Sequence, residues 1–238
     1  MNVTGIHTLN SAKMLDTAFF DRDACTVARA LLGKVLRRRW QAVWLACRII
    51  ETEAYYRREK GSHSSLGFTE KRKAMFMPPG TIYMYYARGG DSLNVSVRGA
   101  GNAVLIKAGV PWFDARSPRE TARLMQRLNP VRGSGRKRPV ERLCSGQTLL
   151  CRSLALKVRD WDQRPFDPER FFIEDVGHRV HEIIQTPRLG IPPERDAHLP
   201  YRFVDAAEAR HATRNPLTRR GAVEGRDYRI LRIGSRQG

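Results

Sequence analysis

The chain has 238 residues, 41% of them apolar, enough for one domain with a substantial core. Its 43 Lys and Arg against 24 Asp and Glu give a formal charge of +19, which draws polyanions from a distance and makes nucleic acid the expected partner, ahead of an anionic lipid surface or a merely solvated basic exterior. No apolar run reaches membrane-span length, no signal-peptide pattern is visible, and Cys25, Cys47, Cys144 and Cys151 are widely spaced without a C-x-x-C pair, so the expectation is a cytoplasmic protein with packing cysteines and neither disulfides nor a zinc site.

Asp23 occupies an N-cap position and Val27, Ala28, Leu31 and Leu32 share one face, so a helix is expected from Asp23 to Leu32, ended by Gly33. Residues 34–40 and 43–52 read as paired strands. The second is apolar almost without a break from Val43 to Ile50, which suits a central strand. Its end delivers Glu51 and Glu53, which share a face if the strand stays regular. The polar, basic stretch 57–73 reads as a loop, and Pro78-Pro79-Gly80 turns into a strand over 81–86. Gly89-Gly90-Asp91 is another turn, and strands over 93–97 and 103–108, joined through Gly99 to Gly101, complete an antiparallel meander.

Ser117-Pro118-Arg119-Glu120 has the pattern of a helix start, with Ser117 as N-cap and Pro118 at the first position, and the helix should end near Asn129-Pro130. Arg119, Arg123 and Arg127 recur every fourth residue on it. Between Trp112 and Arg142 there are nine basic and three acidic residues, so the stripe either faces phosphates or is a solvated helix face. Residues 143–190 look less regular, with a short apolar helix after Leu143-Cys144-Ser145-Gly146, and the tail from about 219 reads as mobile. The expected fold is mixed α/β (α+β), a single compact domain over 1–238 with a largely antiparallel core sheet flanked by helices.

Between Ile49 and Ala108 a very basic chain concentrates carboxylates, aromatic faces, an imidazole and an amide, a combination suited to extracting and cutting a nucleobase. The motifs FFDRDACTVARALLGKVL (19–36), IIETEAYY (49–56), HS (63–64), MFMPPGTIYMYY (75–86), LNV (93–95), AVLIKA (103–108) and LCSGQTLLC (143–151) follow one another at compatible spacing. Over most of its length the chain thereby resembles the alkyladenine (3-methyladenine) DNA glycosylases of the mammalian alkylpurine type. The resemblance implies a fold related to the C-terminal domain of formyltransferases. It also implies a monomer that flips alkylated purines out of double-stranded DNA and releases them without a cofactor or metal, by a monofunctional mechanism.

On that resemblance Glu53 is the catalytic carboxylate, placed to deprotonate water and stabilise an oxocarbenium-like sugar, and Glu51 is structural. Tyr55, His63 and Tyr85 match base-stacking positions, where a cationic purine gains about 0.5 to 2 kcal/mol over an aromatic ring. Tyr83 reads as core packing. Asn94 matches a position lining the base pocket, or else makes a strand-end hydrogen bond. Lys107 stands where relatives carry Arg; it keeps the charge and loses the planar fork. Relatives also place a Tyr three residues beyond the position of Tyr85 to fill the vacated stack. Here that residue is Arg88, so Arg88 or a rearranged Tyr86 is the expected wedge. Two rival readings remain: a non-catalytic nucleic-acid-binding module of the formyltransferase kind, and a metal nuclease using Glu51, Glu53 and His63, which lacks further ligands nearby.

Overall fold

The structure, a computed structural model, describes residues 13–87, 89–214 and 220–234. One ten-stranded sheet contains β1 (Lys13–Met14), β2 (Val35–Trp40), β3 (Val43–Tyr55), β4 (Ile82–Ala87), β5 (Gly90–Ser96), β6 (Ala103–Pro111), β7 (Phe171–Asp175), β8 (Glu182–Thr186), β9 (Arg202–Asp205) and β10 (Arg229–Arg232). Its order is β1-β7-β2-β3-β6-β5-β4, with β9, β8 and β10 branching from β3, and the pairings between these strands are antiparallel. Among the described residues five short helices accompany it: α1 (Thr17–Phe20), α2 (Ala24–Leu31), α3 (Thr121–Leu128), α4 (Gln147–Ser153) and α5 (Val158–Trp161). The result is a single compact mixed α/β domain.

α2 forms where the sequence predicts it. The Asp23 side chain accepts from the Thr26 amide, Ala24, Val27, Ala28 and Leu31 are buried, and Gly33 adopts φ +83° just beyond the end. The helix lies over β3, where the Thr52 hydroxyl donates to the Ala28 carbonyl.

β3 is the organising strand. β6 pairs along its second half, while its other edge is held by β2 as far as Arg48 and by β9 from Glu51 to Glu53. The β3–β6 ladder is irregular twice: Ile49 opposes Gly109 and Glu51 opposes Ala108, then Thr52 opposes Ile106. Ile50 on β3 and Lys107 on β6 are therefore the two extra residues. Before the irregularity Leu45, Cys47 and Ile49 face the main core; after it Ala54 does, with Thr52 bonded to α2. The change from odd to even positions matters, because a regular strand would have aimed Glu53 and Tyr55 into the apolar core. Here they emerge on the other face, beside Lys107.

Four sequence expectations need correction. Ser117 does not cap α3: its hydroxyl accepts from the buried Arg37 guanidinium, and α3 begins at Thr121 after a tighter turn in which the Thr121 amide donates to the Pro118 carbonyl. Satisfying a buried guanidinium outweighs capping a solvent-facing helix end. The stretch 57–73 is not simply loop, since it contains a 3-10 turn at His63–Leu66 and most of another at Glu70–Phe76. β5 starts at Gly90, so the expected turn there is already part of the strand. The tail expected to be mobile from about 219 carries β10, which pairs with β8 while Ile230 and Leu231 pack on the secondary and main cores. The apolar pair within Arg229-Ile230-Leu231-Arg232 is what closes the open edge of β8.

Candidate active site

Glu53 is fully buried, and each of its oxygens has a donor: Lys107 Nζ lies 2.7 Å from Oε1 and the Tyr55 hydroxyl 2.6 Å from Oε2. Burial pushes the carboxyl upward. The Lys107 ammonium, the Tyr55 hydrogen bond and the charge of Arg202 outweigh it, so Glu53 titrates below its ordinary value and is ionised at neutral pH. The Tyr55 hydroxyl, pushed well above its ordinary range by burial and then by Glu53, remains a donor. The two bulged strands create this contact, because the extra residue on β6 is Lys107 itself.

Above the pair opens a cavity of about 180 Å³. Tyr55 and Lys107 line it from β3 and β6, and Tyr83, Tyr85 and Ala87 from β4, whose alternate residues Ile82 and Met84 enter the main core. His63 reaches it from the 3-10 turn. The imidazole meets Tyr85 edge-on at 4.6 Å, and its Nδ1 lies 3.0 Å from the Tyr83 hydroxyl. Burial and the charges of Arg72 and Arg195 hold His63 below its ordinary value, hence neutral at pH 7. Apolar Met75, Leu105 and Ile191 contribute walls, and Gln147 at the start of α4 adds an amide. Such a lining suits a flat heterocycle held by its faces and oriented by a few polar atoms.

The structure thus brings together Glu53, Lys107, Tyr55, His63 and Tyr85. It does not bring Asn94 to the cavity lining: Asn94 is buried in β5 and its Nδ2 donates to the Tyr83 carbonyl at 3.1 Å. Tyr86 is 68% exposed and alternates with Tyr85, so its ring leaves β4 on the opposite side from the cavity. Arg88 lies outside the described residues. The described residues that follow it are Gly89, whose carbonyl accepts from both Arg132 and Arg152, and Gly90, against which Thr148 packs so closely that a Cβ there would lie 2.2 Å from it. Arg119, Arg123 and Arg127 are exposed, while Thr121, Ala122 and Met125 bury the other face of α3. Glu51 is occupied: Arg202 Nε, the Thr213 amide and the Thr213 hydroxyl all bind it. Among the described residues no three His, Cys, Asp or Glu side chains converge as a metal site requires.

Sequence reasoning missed three residues. Tyr83 is packed in a small cluster with Ala74, Met75 and Ala103, yet its hydroxyl also fixes His63. Gln147 lay within a quoted motif without a role; its position just after a glycine at a helix start was the available signal. Arg188 lies against Tyr55, and nothing in the sequence pairs it with its ion partner Glu59, 129 residues away.

A buried, ionised carboxylate directly behind two lining residues of an aromatic cavity, in a chain with a net charge of +19, makes this the candidate active site. Comparison with known proteins agrees and is more specific. A family model described as Methylpurine-DNA glycosylase (MPG) matches residues 18–209, and the chain belongs to that family. It is 63% identical over 220 residues to a Pseudomonas aeruginosa protein named "Putative 3-methyladenine DNA glycosylase", covering 92% of this chain and 91% of that protein. A Pseudomonas syringae pv. tomato protein of the same name is 62% identical over 221 residues, covering 93% and 98%. The mouse "DNA-3-methyladenine glycosylase" is 43% identical over 157 residues, covering 63% of this chain and 45% of the mouse protein.

Proposed function

We propose that this protein is a monomeric, monofunctional DNA glycosylase that removes alkylated purines from duplex DNA. The observation that carries the reading is Glu53, buried and ionised directly behind Lys107 and Tyr55, the two residues through which it adjoins the aromatic cavity. A base inside a duplex is out of reach, so the nucleotide is extruded and its base is held against Tyr55, His63 and Tyr85. Alkylation at N3 or N7 makes the purine cationic, which strengthens its attraction to the ring faces.

In the chemical step the oxygen of water adds to C1′ as the glycosidic bond breaks. The electron pair of that bond leaves with the purine, and the water proton passes to Glu53. A cationic purine departs neutral, so the proton on Glu53 passes on to solvent; a neutral purine departs as an anion and takes up one proton, so the net proton count is zero. Lys107 fixes the carboxylate and keeps it charged while positive charge develops on the sugar. Water, base and abasic sugar balance the reaction without a cofactor. The side chain that fills the vacated stack is assigned to the turn between β4 and β5, with Arg88 preferred over Tyr86 because Tyr86 points away from the cavity.

The test is direct. Duplex DNA containing 7-methylguanine or 3-methyladenine is incubated with the protein and free base is quantified. Release is expected, with abasic sites that break only on added alkali and no covalent complex trapped by borohydride. Tight binding without release would replace this reading by the non-catalytic module, and a trapped complex would replace water by an amine nucleophile.

A further inference from the structure

The Arg188 side chain is fully buried, and its guanidinium carbon lies 4.4 Å from the centroid of the Tyr55 ring. Arg188 does not line the cavity, whereas Tyr55 and the next three residues, Leu189, Gly190 and Ile191, do. The charge on Arg188 is matched by Glu59, itself buried: Nη1 lies 2.8 Å from Oε1 and Nη2 2.6 Å from Oε2. Nη1 also donates to the Ala54 carbonyl of β3, and Glu59 Oε1 also accepts from the Tyr56 amide. A desolvated pair of this kind is weak evidence for stability, since well-packed apolar residues often serve as well or better. Its placement against a ring that lines the cavity calls for another account.

Resting on the function proposed above, we infer that the Arg188–Glu59 pair is a charge-balanced backing for Tyr55 that sets the selectivity between cationic and neutral bases. The guanidinium holds the ring by its face. Unbalanced, it would stand about 8 Å from a cation stacked on the other face, close enough to disfavour cationic purines by about thirtyfold at an effective permittivity near 20. Glu59 cancels that charge from behind, so the cavity accepts a cationic purine over a ring that is itself held by a cation. The pair acts through Tyr55, so both members are positioning residues.

The experiment measures single-turnover release of 7-methylguanine, which is cationic in DNA, and hypoxanthine, which is neutral, from otherwise identical duplexes, and reports their ratio. Glu59→Gln, which removes a charge roughly 12 Å from the bound base, should lower the cationic-to-neutral ratio by about tenfold, and Arg188→Met, which removes the nearer one, should raise it by about thirtyfold. The double variant should return to within about threefold of wild type, and Arg188→Lys, which keeps the charge, should keep the ratio while slowing both reactions. Parallel losses that leave the ratio fixed in both single variants would overturn the inference, as would shifts of the same sign. If thermal melts show both singles unfolded, the pair is a folding element and the inference is equally overturned. Failure of wild type to release either base would instead reject the proposed function, a result no variant is needed to see.

Discussion

A carboxylate with no exposure, such as Glu53, would be driven toward its neutral form by burial alone; Lys107 and Tyr55 reverse that outcome. Two predictions follow from the reversal. Glu53→Gln keeps the shape and removes the base and its charge, so hypoxanthine release should fall by roughly a hundred- to ten-thousandfold, the usual weight of a general base, with a smaller loss for 7-methylguanine, which leaves as a neutral ring. Binding to lesion-containing duplex should change little; a loss of binding alongside release would point to a collapsed cavity. Lys107→Met removes the strongest opposition to burial, so the Glu53 titration should move upward. Because the reaction needs the ionised form, the acid limb of the rate profile should move to higher pH. The stability sign is also fixed: a carboxyl held below its ordinary value of 4.5 stabilises the fold above that pH and loses the contribution as pH falls through the folded value. In Lys107→Met that gain should vanish, measured as the pH dependence of the unfolding midpoint.

At the level of elements, the paired irregularities on β3 and β6 carry the site, and Gly109 beside them shows how closely the strands pack. A Cβ there would lie 2.2 Å from Cys47 Sγ and 2.6 Å from the Arg48 carbonyl oxygen. Gly109→Ala should therefore destabilise by about 1–3 kcal/mol, whereas Gly135→Ala, with nothing within 4 Å, should stay within about 0.5 kcal/mol. Equal melting temperatures for the two would mean that β3 and β6 separate freely at the bulge. Strands β2 to β6, α2 and the candidate residues between Glu53 and Tyr85 were legible because periodicity, caps and motif spacing are local signals, whereas β1, β7, β8 and β9 were not read from the sequence. The bulge was not, since its cause is the pairing of two strands far apart in sequence, and a run such as Ile49-Ile50-Glu51 reads the same with or without it. Ser117 misled for a related reason: its local pattern is that of a cap, but a buried Arg37 from β2 competes for its hydroxyl. β10 was obscured by flanking arginines, which hid two packing residues.

For the whole molecule, the net charge of +19 predicts binding that weakens steeply with salt, because each phosphate neutralised releases counterion. Charge reversal at Arg119, Arg123 or Arg127 should reduce the slope of log K against log salt by about 0.9 for each arginine that touches phosphate. An unchanged slope would identify the exposed side of α3 as a solvated face. The branch formed by β8, β9 and β10 has one more consequence, which concerns synthesis. Glu51 is completed by Arg202 and Thr213, partners 151 and 162 residues downstream, Glu59 by Arg188 at 129, and Lys34 by Asp175 at 141. A ribosome delivers the chain from its N-terminus. The leading portion emerges with β3 short of an edge partner, two buried-to-be carboxylates unmatched and the ring of Tyr55 unsupported. Glu53 and Lys107 are already present in such a fragment, but the walls contributed by Leu189 to Ile191 are still to come. A stalled or truncated translation product therefore carries the proposed catalytic carboxylate without a finished pocket, and its bare β3 edge exposes it to aggregation or clearance.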